Sequence, residues 1–385
     1  MKLEKRFEAI ENLLLDHQYL LDKEVLQRYP NLSAPYHEWG KSIATFTDEE
    51  LIQLENLQFQ ELNLPDDYRL MLDKISSLLK LDQAEYRPQQ IPKEHLKKMT
   101  LKKRHEIEIL QGQLEEDQSF VDIGSGAAHL SGVLLEGNDK TSICIDMDSD
   151  IQSIGKKKHA KILDRLQFET LKFHRHADLF GNPSDTLIGL HACGDLSCDI
   201  IEYGIHHKFK KIVSYGCCFH KLSQFPMSKQ TNLKVSNHAL TMAAKSYKTM
   251  TLKEFQQREK VKRFRYTLHF LMFEHMDGGF VTLGNASKAD YEGAFHEYCY
   301  KYLPETKKFT PEFLTDFFTS KKDEYREYLC FGIIRSHLSR LLEVFINLDR
   351  CLYLKEQGYN VKLEEVFDRK LSPRNLCITA VLERS

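Results

Sequence analysis

The chain has no long apolar run. Nothing in it approaches the ~18 uncharged apolar residues of a membrane span, so an integral membrane protein is set aside. Nor does it carry an excess of one charge: 54 Lys and Arg stand against 56 Asp and Glu, for a net charge of −2. A global nucleic-acid signature is therefore missing, and any polyanion site has to be a local patch. Met1 to Arg6 leads into a charged amphipathic helix without the apolar centre of a signal peptide. No internal repeat or low-complexity tract is visible. Tryptophan occurs once, as Trp39, and reads as packing among helices. The nine cysteines are an odd number in a large chain without a leader, which indicates reduced thiols and a cytoplasmic protein. What is present, 42% hydrophobic and 29% charged residues, describes an ordinary soluble globular chain. A length of 385 residues suggests two or three domains.

The most informative stretch is Val121-Asp122-Ile123-Gly124-Ser125-Gly126-Ala127-Ala128-His129-Leu130. An apolar strand signal runs into a glycine-rich turn, and a helix is expected from Ala127 to Leu135. Glycine permits positive φ and close backbone approach, so a cofactor can lie against main-chain N–H groups. The spacing is Asp-x-Gly-x-Gly, and His129 stands where the dinucleotide fingerprint has its third glycine. Asp122 would repel a pyrophosphate but suits an ammonium group, such as the amino-acid end of S-adenosylmethionine. Thr141-Ser142-Ile143-Cys144-Ile145-Asp146 is a second apolar run, and its closing acid lies about 20 residues past the glycines, where ribose hydroxyls require one. Asp148 and Asp150 lie close by, and Asp146 is favoured because it comes directly off the strand. His176 to Leu179 reads as the end of a third strand, with Asp178 placed to accept from an adenine amino group. Asp185–His191 and Lys211–Gly216 are the fourth and fifth strands, with helices over roughly 151–168 and 195–208 between them.

Alternation of strand and helix argues a parallel, doubly wound sheet with ligands at the strands' carboxyl ends. Residues 1–95 read as a helical accessory or cap domain with Arg87 to Pro92 as linker, and a helix from Leu101 to Gln113 leads into the first strand. Residues 96–385 form the cofactor domain, and 219–330 is an irregular insertion after the fifth strand, suited to substrate recognition. A long helix over Ile333–Leu354 follows, capped by Gly358. Asn360–Phe367 and Asn375–Leu382 then form two strands whose short connection forces antiparallel pairing.

His191-Ala192-Cys193-Gly194-Asp195 follows the fourth strand and Gly216-Cys217-Cys218-Phe219-His220 the fifth, so both reach the rim where ligands bind. His191, Asp195 and His220 could act as base or orienting groups, and Cys193, Cys217 and Cys218 join them as candidate catalytic residues. Zinc would find the right ligand types here, but two adjacent cysteines do not easily serve one tetrahedral ion, and no metal is expected. Asp195 could instead cap the next helix. The basic run Lys97-Lys98 and Lys102–His105 reads as a solvated face, and Lys260–Tyr266 as a polyanion-binding or edge strand of the insertion.

Several of these segments together resemble a known family. Lys102–Glu106, the Val121–Gly126 turn, Gly189–Ser197, Gly216–Leu222, Leu348–Leu354 and Leu371–Leu376 are similar to eukaryotic methyltransferase-like proteins once labelled rRNA adenine dimethylase domain-containing. The resemblance covers about residues 100–385 and implies a class I methyltransferase: a Rossmann-like α/β sheet whose seventh strand inserts antiparallel, here with the helical accessory domain and the insertion. It implies an S-adenosylmethionine-dependent transferase but says little about the substrate; RNA and protein both stay open, and the missing apolar span argues against a membrane partner. Asp122, Gly124, Ser125, Gly126 and His129 would hold the amino-acid end, Asp146 and Met147 the ribose side, and Asp178 and Leu179 the adenine, with His191 beside them. His191-Ala192-Cys193-Gly194 replaces the Asn-Pro-Pro-Tyr-type motif of amino methyltransferases, which counts against base N-methylation. Two rivals stand: a binding or assembly protein that keeps the fold without turnover, and a nicotinamide oxidoreductase, against which His129 and the closing hairpin both count.

Overall fold

The computed structural model describes residues 1–96, 99–231, 233–245, 250–276, 278, 281, 284 and 286–383. Lys97 and Lys98 of the basic run, and Gly279, lie outside the described residues. The chain divides into two compact units. One contains 1–16, 78–248 and 339–385, and the other contains 17–77 and 249–338.

The first unit is built on an eight-stranded sheet: β1 (Asp82–Gln83), β2 (Ser119–Ile123), β3 (Thr141–Asp146), β4 (Leu166–Thr170), β5 (Thr186–Cys193), β6 (Lys211–Cys217), β7 (Tyr359–Glu365) and β8 (Leu376–Leu382). The spatial order is β1-β7-β8-β6-β5-β2-β3-β4. β8 lies antiparallel to both β6 and β7, and the other pairings are parallel. An antiparallel last strand inserted beside β6 is the arrangement of a class I methyltransferase sheet.

Central parallel strands are covered on both faces, which is why they read as continuous apolar runs. Phe120, Ile188, Val213 and Tyr215 face a core shared with Ile107 and Leu110 of the helix Leu101–Gln113 and with Leu114 at its C-terminal cap. Ile212 and Leu187 meet the helix Leu196–His206, where a Cβ on Gly204 would lie 2.5 Å from Ile212 Cδ1. Phe7 of the first helix stacks on Phe345 of the helix Leu338–Glu356, with centroids 4.6 Å apart.

Gly112 shows how closely the segment before β2 is fitted. A Cβ there would lie 2.4 Å from the Arg87 carbonyl oxygen, a backbone atom that cannot swing aside. The Gln89 N–H donates to the Glu108 carbonyl 2.9 Å away and holds the two segments together. Gly112→Ala is expected to destabilise the chain by about 1–3 kcal/mol, overriding the roughly 1 kcal/mol helix preference of alanine over glycine. Urea unfolding reads this, and an unchanged or raised midpoint would contradict the fit.

Three expected elements differ. His176–Leu179 is loop, and the third strand of the series is β4 at Leu166–Thr170, overlapping the end of the stretch read as helix; the helix itself is Ser149–Lys158. Lys260–Tyr266 belongs to a 24-residue helix, Leu252–His275, rather than an edge strand. Thr251 caps it by accepting from the Glu254 N–H at 3.3 Å, while the Glu254 carboxylate accepts from the Thr251 N–H at 3.0 Å. The long C-terminal helix is two, Lys322–Ser336 and Leu338–Glu356, separated at His337. Its imidazole meets the Leu54 carbonyl at 2.9 Å and the Tyr68 hydroxyl at 3.3 Å.

The second unit is helical. Trp39 is 3% exposed, stacks on Tyr68 and donates its indole N–H to Asp67 at 2.9 Å, the packing role expected of it. Arg258 grips Glu55 with two bonds of 2.6 Å. Among the described residues no helix is long and apolar enough to cross a membrane.

Candidate active site

Strand order reverses between β2 and β5, and ligands of open α/β sheets bind outside the carboxyl ends at such a point. The glycine turn leaves β2 there. Gly124 and Gly126 take φ of +74° and +56°, the left-handed region that glycine enters freely. The Gly124 N–H donates to the Ile145 carbonyl at 2.8 Å, and the Gly126 N–H donates to Asp146 Oδ2 at 2.8 Å. β3 thereby clamps the turn.

The three neighbouring acids after β3 have separate duties. Asp146 ends the strand, and its second oxygen accepts from the Asp148 N–H at 2.9 Å. Asp148 caps the helix Ser149–Lys158, its Oδ1 accepting from the Asp150 and Ile151 N–H groups at 3.0 Å. Asp150 lies within the helix. Only Asp146 comes off the strand onto the glycine turn. Met147 and Leu179 are 70% and 45% exposed, and a Cβ on Gly126 would sit 3.7 Å from Ile151 Cγ2. Ile151, itself 39% exposed, is thus an apolar surface against the glycine turn that suits a flat base.

Asp122 is 3% exposed and accepts from the Ser131 hydroxyl at 2.8 Å. Burial pushes its carboxyl up to about 6, against that hydrogen bond. Ser125 is half-buried, with its N–H 3.2 Å from the Ile145 carbonyl. His129 occupies the third-glycine position and takes a 2.7 Å hydrogen bond from the Lys158 ammonium at Nδ1. Burial, then Lys103 and Lys158, hold that imidazole down to about 4, so it is neutral and accepting. Asp178 is exposed, on a loop pinned by Tyr203, whose hydroxyl accepts from the Phe180 N–H and donates to the Asp178 carbonyl.

Of the six rim residues, the structure brings together the three cysteines, with Cys217 also reaching the His191 carbonyl at 3.2 Å. A bulge in β5 between Gly189 and Ala192 puts His191 at φ +57° and sets Cys193 opposite Cys217. His191 Nε2 lies 2.8 Å from Glu106 Oε1, which also accepts from the Ser372 hydroxyl at 2.6 Å. Burial alone would raise the Glu106 carboxyl, but the His191 and Ser372 hydrogen bonds and Lys102 hold it below the usual range. An ionised carboxylate fixes the proton on Nε2 and leaves Nδ1 as the acceptor nitrogen. The Cys193, Cys217 and Cys218 sulfurs lie 3.1, 3.2 and 3.8 Å from one another. Their protons are shared unequally: the hydrogen bond from Cys217 lowers Cys193, and the same contact raises Cys217. Asp195 stands at the start of the helix Leu196–His206, yet its carboxylate does not cap it; it binds the Ser223 N–H and hydroxyl at 2.7 and 2.6 Å. His220 is exposed in a short turn after β6.

Glu106 and Ser372 were missed as partners of His191. Both lie in segments of the family resemblance, Lys102–Glu106 and Leu371–Leu376, but nothing local showed that Ser372 donates to Glu106 and that Glu106 accepts from the His191 ring. The segment Leu348–Leu354 also finds a purpose. Asp349 accepts from the Met227 and Ser228 N–H groups at 2.7 and 3.0 Å, and buried Arg350 donates to the Ser197 hydroxyl at 2.7 Å. These bonds hold the loops that carry the rim.

The sheet order, with its antiparallel β8, and the glycine turn clamped by β3 are the architecture of a class I methyltransferase fold. Residues 100–225 match the family described as "Methyltransferase domain". The chain is 23% identical over 228 residues, 51% of its length, to the probable methyltransferase-like protein 25 of Mus musculus. It spans 37% of the length of that curated relative. Among solved structures, YjhP from E. coli aligns at 9% identity with a TM-score of 0.26, over 87% of this chain and 100% of that one. Coclaurine N-methyltransferase bound to N-methylheliamine and SAH aligns at 11% identity with a TM-score of 0.29, over 100% and 96% of the two chains.

Proposed function

We propose that the chain transfers the methyl group of S-adenosylmethionine to a nucleophile on a macromolecule, RNA or protein, at the β5–β6 rim. The observation that carries this reading is Asp146, at the end of β3 and hydrogen-bonded to the Gly126 N–H, beside the reversal of strand order. Asp146 holds the ribose diol, Asp122 and the Gly124–Gly126 turn the amino-acid end, with Ser125 and His129 beside it. Met147, Asp178 and Leu179 border the adenine. His191 takes the acceptor's proton at Nδ1 as the methyl moves, with Glu106 fixing the ring and Asp195 positioning the loop after β6. Cys193, Cys217, Cys218 and His220 complete the acceptor side. The kinship with proteins labelled rRNA adenine dimethylase domain-containing rests on the two strand-end motifs, and we assign a cytoplasmic location from the cysteine usage.

Substrate recognition falls to the helical regions outside the sheet. There, a cavity of about 790 Å³ is lined by Lys253, Arg258, Lys262, Arg265 and Lys288 alongside Glu24 and Glu254. A cation-rich wall favours RNA, since neutralised phosphates release counterions. The test offers radiolabelled S-adenosylmethionine to the chain with bulk RNA and with an extract freed of RNA. Label in RNA, with binding that falls about tenfold or more between 50 and 200 mM salt, supports the RNA arm, and label in protein selects the other. Tight cofactor binding with label in neither would favour an assembly protein.

A further inference from the structure

We propose that Cys193, Cys217 and Cys218 bind one zinc ion, with its fourth coordination position open at the rim. Three sulfurs from two adjacent strand ends converge at 3.1, 3.2 and 3.8 Å. A tetrahedral ion with Zn–S bonds of ~2.3 Å holds its sulfurs ~3.8 Å apart, whereas a disulfide draws two to ~2.0 Å and leaves the third out. The triangle is nearer the first arrangement, and all three sulfurs take part in it. It is also too small for an iron–sulfur cluster, across which three cysteines would have to be spread over at least two irons. All three ligands therefore belong to a single soft ion, and thiolates select zinc among the common divalent metals.

Consecutive residues of a strand point to opposite faces, which ordinarily keeps neighbouring cysteines off one ion. Cys218 escapes this because its backbone turns to φ +52°, and its sulfur comes back to the side of Cys217. β5 bends to match, through the bulge at Gly189/Ala192 and the left-handed His191. Two non-glycine residues in this uncommon conformation, one on each strand end, bring the thiols together; strain of this kind concentrates at functional sites.

Among the described residues no histidine or carboxylate joins the three sulfurs within ligand distance. His191 Nε2 is engaged by Glu106, and the Asp195 carboxylate by Ser223. Cys193 is exposed, Cys218 half-buried and Cys217 buried, so the open side of the ion faces solvent. Structural zinc sites are closed by four protein ligands, and an open position marks a site that takes water or a substrate donor. The ligand class is a water, a thiol or an imidazole. The site stands on these sulfurs alone and does not require methyl transfer.

The experiment uses the full chain, purified reduced, loaded with zinc and dialysed against metal-free buffer, alongside Cys193→Ser and Cys218→Ser. Neither of these cysteines is buried, and thermal melting checks that the variants fold. Elemental analysis is expected to find about one zinc per folded chain, with affinity at least about 100-fold weaker in each variant. Cobalt in place of zinc should give the intense thiolate charge-transfer band of a tetrahedral sulfur site. No uptake by the reduced native chain overturns the proposal, as do retention equal in both variants, copper or iron in place of zinc, or a disulfide within the trio. Calorimetry with S-adenosylmethionine on the same samples reads the cofactor site separately, so either assignment can fail alone.

Discussion

Asp146→Ala should weaken binding of S-adenosylhomocysteine by about 100- to 1000-fold. In the proposed site two ribose hydroxyls would donate to this one carboxylate, and hydrogen bonds to a charged group contribute roughly 1.5–3 kcal/mol each. Losing both, at the lower half of that range, would cost about 3–4 kcal/mol, at 1.4 kcal/mol per factor of ten. A second loss adds to the first, because the same carboxylate accepts from the Gly126 and Asp148 N–H groups at 2.8 and 2.9 Å. Without it the glycine turn is freer before the ligand arrives. Asp148→Ala is the control. It removes a helix cap worth about 1 kcal/mol and should lower the melting temperature slightly, while leaving affinity within a few-fold. Asp146→Asn should fall between, because its amide oxygen can still accept but without charge. Calorimetric titration distinguishes these outcomes. Equal loss in Asp146→Ala and Asp148→Ala would mean that both act through folding, and full affinity in Asp146→Ala would remove the ribose assignment.

Most of the sheet was legible because β2, β3, β5 and β6 are covered on both faces and so appear as unbroken apolar runs. β4 was not, since only Leu166 of its five residues is buried and it lies at the sheet edge. The expected strand at His176–Leu179 is a loop, held by tertiary hydrogen bonds from Tyr203 that no local pattern announces. Lys260–Tyr266 alternates basic with apolar residues over a window too short to separate period 2 from period 3.6; the Thr251–Glu254 capping box was the better signal. In the site, the residue types were visible and their division of labour was not. Three nearby acids look alike until Asp148 is seen capping a helix. Adjacent cysteines seem to diverge until the backbone at Cys218 turns left-handed without the glycine that would advertise it. His191 depends on Ser372 through Glu106, and Glu106 and Ser372 are 266 positions apart in sequence.

Arg340→Met should cost about 3–5 kcal/mol, the usual penalty for removing one partner of a buried ion pair, and so about 10 °C in melting temperature. The guanidinium is 2% exposed and donates to Glu343 at 2.7 Å and to Glu365 and Asn375 at 2.6 Å. Arg374 also serves Glu343, at 3.0 Å, and Arg369 serves Glu365, at 3.2 Å, so the variant strands carboxylates that retain only weaker partners. The sign of the pH dependence follows from Glu365. Burial alone would raise its carboxyl, but Arg340 and Arg369 hold it below the usual range. A depressed carboxylate contributes stability above its unfolded value of ~4.3, and that share is lost as pH falls through the folded value. The native chain therefore loses this contribution on acidification, and the variant has little of it to lose. Their stabilities should differ most near pH 7 and converge below about pH 4. Glu365→Gln in the Arg340→Met background should recover part of the loss, a coupling of about 0.5–3 kcal/mol. A difference unchanged from pH 7 to 4 would show that Arg340 acts by packing its stem rather than by charge. The network also reaches the site. It fastens the helix Leu338–Glu356 to the end of β7 and the start of β8, and β8 pairs with β6, the strand that delivers Cys217 to the rim. By this tie the Arg340→Met substitution is expected to loosen the β6 end that carries Cys217 more than the far side of the sheet, where β3 holds Asp146.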